Sequence, residues 1–198
     1  MKQIVLSAFV ILPLLLGGCA ASTSVKEQIR NKSVEQGNVF RELTDRAPMQ
    51  GFSVLIIWAT IKTPKEGFYP LESKAALHGK PKYPFVFNIG GQGVIWLAKG
   101  THDTQKELVD GKKNPEGGEG VKYILDKKVT LRPGTYKIYL GLTEEAFQKE
   151  IELNITEGKR SILEFKPVYR RDRISGCSFY MGISDFDVYL DGKEIHLP

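Results

Sequence analysis

Side chains able to do chemistry are sparse in this chain. Its two cysteines are Cys19 and Cys177, and its three histidines, His78, His102 and His196, stand far apart. A cysteine nucleophile needs a base, commonly histidine, and a third group to orient it. The only histidine downstream of Cys177 is His196, two residues from the end, and residues 181–185 carry no helical pattern. Cys177 therefore reads as a structural thiol packed like a small hydrophobe, and a Cys-dependent cell-wall hydrolase is disfavoured. The chain has no HExxH, CxxC or His-x-His spacing, no Gly-x-Ser-x-Gly elbow and no phosphate loop. Gly90-Gly91-Gln92-Gly93 lacks a following helix and lysine and reads as a turn, and His102-Asp103 reads as solvated. No catalytic residue, metal ligand or cofactor is expected, and the chain reads as a non-enzyme. The main surface signal is Tyr169-Arg170-Arg171-Asp172-Arg173. Three guanidiniums beside a tyrosine can grip phosphate or carboxylate groups bidentately. Tyr169, Arg170, Arg171 and Arg173 are thus the candidate binding residues, with a loop paired to neighbouring carboxylates as the alternative. Phe68, Tyr69, Tyr83 and Trp96 suit either an aromatic binding face or the core.

The N-terminus carries an address. Met1-Lys2-Gln3 supplies one basic residue, residues 4–16 are apolar apart from Ser7 and Pro13, and Gly17-Gly18-Cys19 follows. A basic head, a short apolar core and small residues at the end describe a secretory signal. The run is short of the roughly 20 residues that span a bilayer. Leu16-Gly17-Gly18-Cys19 resembles the lipobox of bacterial lipoproteins. That resemblance implies a diacylglyceryl group on the Cys19 sulfur, cleavage before Cys19 and acylation of the new amine. The alternative is an ordinary signal cut after Ala20 or Ala21. Two or more acyl chains hold a protein on a membrane where one does not. Ala20, rather than Asp, follows the cysteine; by the sorting rule of lipoproteins this implies the outer membrane rather than the inner.

Composition bounds the remainder. The chain has 28 Lys+Arg against 23 Asp+Glu, a formal charge of +5 that falls to +4 when residues 1–18, with Lys2, are removed. That is mildly basic, unlike the dense cationic character of a nucleic-acid binder. With Cys19 lipidated, Cys177 has no cysteine left to pair with inside the chain. Three segments are expected: a signal peptide over 1–18, a lipid anchor and polar tether over 19–50, and a domain over 51–198.

Within the domain, residues 52–61 are β-branched and aromatic almost throughout and read as a strand covered on both faces. Residues 85–89 and 93–97 form a hairpin about Gly90-Gly91. Residues 99–120 are the longest polar stretch, with turn signals at Asp110-Gly111 and Asn114-Pro115 and room for a short helix over 104–109. Alternating runs over 136–142 and 149–155, the turn Arg132-Pro133-Gly134-Thr135 and a closing hairpin at Asp191-Gly192 complete the pattern. Many short strands with few helical stretches predict a mainly β fold, an antiparallel β-sandwich of transthyretin or Ig-like type after a polar tether. The run Val129-Thr-Leu-Arg-Pro-Gly-Thr-Tyr, with residues 151–165, resembles small transthyretin-like and PEGA-like modules. That resemblance implies an accessory or binding module and brings no catalytic residue. The expected product is a membrane-anchored envelope lipoprotein with a binding or assembly role through an envelope protein partner; an anionic glycan or lipid binder is the alternative.

Overall fold

The computed structural model describes residues 38–43, 50–145, 147–171 and 178–195. The signal segment, Cys19, most of the expected tether, Arg173, Cys177 and His196 lie outside them. The domain is mainly β, as its alternating runs predict. Its strands are β1 (Phe40–Glu42), β2 (Ser53–Thr63), β3 (Lys82–Ile89), β4 (Gln92–Gln105), β5 (Leu108–Val109), β6 (Lys112–Lys113), β7 (Gly118–Leu131), β8 (Gly134–Leu142), β9 (Phe147–Ile155), β10 (Arg160–Tyr169), β11 (Ile183–Leu190) and β12 (Lys193–Glu194). A short 3-10 helix, Ser178–Met181, precedes β11.

One long sheet runs β12-β11-β10-β2-β7-β4-β3-β8-β9, with β1 added to β7; β5 and β6 pair only with each other. The sheet curls into a sandwich because β4 belongs to both layers. Its residues 92–99 pair with β3 and its residues 100–105 with β7. The curl brings β9 back to β11, where Phe147 packs on Phe186 at 5.4 Å and Lys149 pairs with Asp185 at 2.8 Å. Period-two alternation sends one face of each strand inward. Leu55, Ile57, Ala59 and Ile61 of β2 face Phe85 and Phe87 of β3, Leu140 of β8 and Phe165 of β10 in one core.

Three expectations need correction. First, the sheet is not wholly antiparallel: β10 runs parallel to β2, with Arg160 opposite Val54 and Phe165 opposite Ala59. The crossing at residues 156–159 returns the chain to the first layer with its direction set by β9, so β10 leaves the same end as β2. Second, the tether does not extend unbroken to residue 50. Phe40 is buried against Trp96 (5.9 Å), and Glu42 accepts a hydrogen bond from Trp96 Nε1 at 2.6 Å. β1 thus fills the split where β4 departs from β7. Third, residues 104–109 are not helical; they end β4 and begin β5.

The register defines two ends. Asn38 enters beside the starts of β2 and β8 and the end of β7, the entry end. The far end gathers residues 64–81, 106–117, 143–145 and the 3-10 helix. β7, with 14 residues, runs between them, a length of about 45 Å at the usual rise of a strand.

Candidate functional site

The polar side chains of the domain concentrate at the far end, in two clusters. The first is built on Lys62. It lies on the outer face of β2, yet its side chain is fully buried, because Asp103, residues 116–118 and the 3-10 helix close over it. Register puts Lys62 directly opposite Lys122 on β7, and like charges placed so repel. Two carboxylates resolve the conflict. Asp103 Oδ2 stands 2.8 Å from Lys62 Nζ, and Glu116 Oε2 stands 2.6 Å from Lys122 Nζ. Lys62 Nζ also donates to the carbonyls of Glu116 (2.8 Å) and Gly118 (2.9 Å), so all three of its donors are used. The Phe179 ring covers it, 4.8 Å from Nζ to centroid. Burial alone would raise the Asp103 carboxyl, but the hydrogen bond and charge of Lys62 hold it below the ordinary value.

Tyr169 belongs to this cluster rather than to the surface. It is buried; its hydroxyl accepts from the Lys62 N–H at 2.8 Å and donates to Glu116 Oε1 at 2.9 Å. Burial, and then the charge of Glu116, push the Tyr169 phenol well above its usual range. Asn114 completes the frame by donating to Gln105 Oε1 and to the Lys106 carbonyl, both at 3.0 Å. Gly120 must be glycine here, since a Cβ would stand 2.5 Å from the Thr63 carbonyl and 2.8 Å from the Phe179 ring.

The second cluster is built on His78. Its Nδ1 lies 2.5 Å from Glu72 Oε1 and its Nε2 3.7 Å from Glu145 Oε1. Glu145 Oε2 in turn accepts the Ile183 N–H at 3.1 Å. Gly182, at φ +77°, lets that carboxylate approach, because a Cβ there would meet Glu145 Oε2 at 2.5 Å. Burial pulls the imidazole down, but the hydrogen bonds and charges of Glu145 and Glu72 outweigh it and raise the His78 pKa above the ordinary histidine value. Glu72 stands at hydrogen-bonding distance from Nδ1, whereas Glu145 at 3.7 Å is an ion-pair neighbour of Nε2, and both carboxylates favour the charged ring. Among the described residues no group of three or more His, Cys, Asp or Glu side chains is arranged to hold a metal ion. Beside the cluster runs an open groove of about 490 Å³, lined by Tyr69, Leu71, Ser73, Ala76, His78 and Glu144 among others. Phe68 stacks on Tyr180 at 4.5 Å, and Tyr69 donates to the Tyr180 carbonyl, so the groove loop is pinned to the 3-10 helix.

The sequence candidates separate. Arg170 and Arg171 are exposed at the far end, and neither makes an ion pair among the described residues. Tyr83 and Trp96 are core residues; Phe68 is half exposed. His102 is exposed near Glu119. Lys62, Glu116, Glu72 and Glu145 carried no sequence signal, because strand register and loop return bring them together.

A third feature lies on the outer face of the sheet. Trp58 is 44% exposed at the middle of β2, with Ile162 of β10 (39%) and Ile124 of β7 (57%) one step along the neighbouring strands. Diagonal neighbours at that spacing lie within reach of one another, so the three form an apolar stripe across adjacent strands. Asp126 and Glu164 stand directly opposite Trp58. Comparison of the chain with family models, with curated proteins and with solved structures produced no match, and no relative lends it a function.

Proposed function

We propose that this is a lipid-anchored envelope protein that works by holding a protein partner, with no catalytic step. The lipobox-like Leu16-Gly17-Gly18-Cys19 supports the anchor, on the outer membrane by the residue that follows. The apolar stripe Trp58–Ile124–Ile162 carries the partner reading. Large aromatics flanked by apolar side chains and ringed by charge mark contact surfaces. Covering the bare part of Trp58 with a partner would bury further apolar area. The lack of a catalytic motif in the sequence supports the non-catalytic half of the reading.

A photo-crosslinking amino acid in place of Trp58, introduced in living cells, tests this. A discrete protein adduct from position 58, absent from the same probe at Glu152 on β9, is the expected result. No adduct, or the same adducts from both positions, would overturn it. Separately, Cys19→Ser should release the chain from the membrane fraction. Arg170 and Arg171, exposed and without an ion pair among the described residues, favour a second reading, an anionic glycan or lipid binder. It requires salt-sensitive binding that an Arg170→Ala/Arg171→Ala chain loses.

A further inference from the structure

The β5–β6 hairpin has no structural reason of its own to project. Residues 106–113 are all exposed, and a lone two-stranded hairpin is marginal in water. Its turn is well made: Asp110 and Gly111 both have positive φ (51° and 74°), the geometry that matches strand twist. Its base is fixed by the Lys62 cluster through Asn114, Glu116 and the neighbouring Gln105. The tip carries Leu108, 60% exposed, and Val109, 51% exposed. Around them stand Lys106, Lys112 and Lys113, none of them in an ion pair with a described residue, against the acidic Glu107 and Asp110. Arg170 and Arg171 lie at the same end.

We propose that this hairpin is a membrane-contact finger, seating Leu108 and Val109 at the acyl boundary of an anionic lipid bilayer and its lysines on the headgroup phosphates. Apolar side chains flanked by lysine suit that interface, where burial and attraction to anionic headgroups add. An acidic glycan would use the lysines and leave the apolar tip without a partner. Chain length permits the contact. Asn38 stands nineteen positions after Cys19, a reach of at most about 65 Å, beyond the roughly 45 Å from entry end to far end. The domain can therefore lie down and touch the membrane that holds its lipid. This last step rests on the anchored reading above; the finger itself does not.

Hydrogen exchange on the full-length protein tests the proposal, with vesicles of phosphatidylcholine alone or mixed with an equal amount of phosphatidylglycerol. Amides of residues 106–113 should slow by about tenfold or more with the anionic vesicles and not with the neutral ones. Each lysine at an anionic surface is worth roughly a factor of five, so Lys112→Ser/Lys113→Ser should weaken contact about thirtyfold and abolish the protection. Leu108→Ser/Val109→Ser should abolish it too. Equal exchange in both vesicles, or protection that survives either double substitution, overturns the finger. The mass of the N-terminal peptide from the same sample reports whether Cys19 is lipidated, so failure of the anchor and failure of the finger are told apart.

Discussion

The two polar clusters at the far end share neighbours and differ in kind. Around Lys62 every donor is used, the charges alternate, and an aromatic ring closes the top. Around His78 a single imidazole lies between two carboxylates and a groove opens alongside. The buried hydroxyls of Thr143 and Tyr83 have no hydrogen-bond partner among the described residues. A satisfied buried network rigidifies the core, whereas the charge of an imidazole between carboxylates changes with pH. The Lys62 cluster is thus a scaffold that sets the hairpin, and the His78 cluster is a latch whose strength follows its charge.

Removing the scaffold charge should have the largest effect. Lys62→Met leaves Asp103 and the Glu116 and Gly118 carbonyls without their buried partner. Breaking such a pair from one side costs about 3–5 kcal/mol. Urea unfolding should report that loss, and exchange at residues 106–117 should quicken beyond it. A loss no larger than that of a surface substitution would remove the distinction between the clusters. Tyr169→Phe comes next. It orphans the Lys62 N–H and one Glu116 oxygen, so a loss of roughly 1–3 kcal/mol is expected by the same unfolding assay.

The latch should instead depend on pH. His78 gains its proton more readily in the folded state than in the unfolded one. Its contribution is therefore complete below the ordinary histidine value, near pH 6.5, and is lost as pH rises through the higher folded value. His78→Gln should cost about 1–2 kcal/mol at pH 6, the worth of a charge-assisted hydrogen bond. The gap from the parent should close as pH rises. Tm measured across that window for both proteins checks it; a gap that is constant, or widens with pH, contradicts the latch. The groups facing the ring are Glu72, Glu145 and Tyr69, and the Tyr69 phenol is held above its usual value by burial and by those carboxylates, so histidine is the group that titrates there.

What the sequence makes legible divides along the same line. Alternation exposes the strands over 136–142 and 149–155, and Gly90-Gly91 and Asp191-Gly192 mark hairpin turns with positive φ. These are local signals, readable because strand period and turn geometry act over a few residues. Phe40 was hidden in a polar stretch, and its burial depends on Trp96, more than fifty residues away. Lys62 follows an apolar run with no mark of burial; only the register with Lys122 and the return of residues 116–118 enclose it. Tyr169 beside Arg170 and Arg171 reads as surface, but the tyrosine ends β10 with its ring buried, and the arginines, past the end of the strand, are exposed. A site assembled by non-local pairing leaves no spacing in the chain to read.

The smallest effect is the most discriminating. Tyr83 and Tyr169 are both buried phenols, and burial pushes both well above the usual tyrosine range. They differ in what their hydroxyls touch: Tyr169 has two partners, whereas Tyr83 has none among the described residues. Removing a bonded hydroxyl orphans its partners, while removing an unbonded one relieves a desolvated group. Tyr83→Phe keeps the ring that packs on Phe85 and Tyr123, so core packing is preserved. It should leave stability unchanged or raise it by up to about 1 kcal/mol. The sign relative to Tyr169→Phe is the measurement that matters. If both substitutions cost alike, the hydroxyl of Tyr83 is as firmly held as that of Tyr169, and the contrast between the two phenols fails.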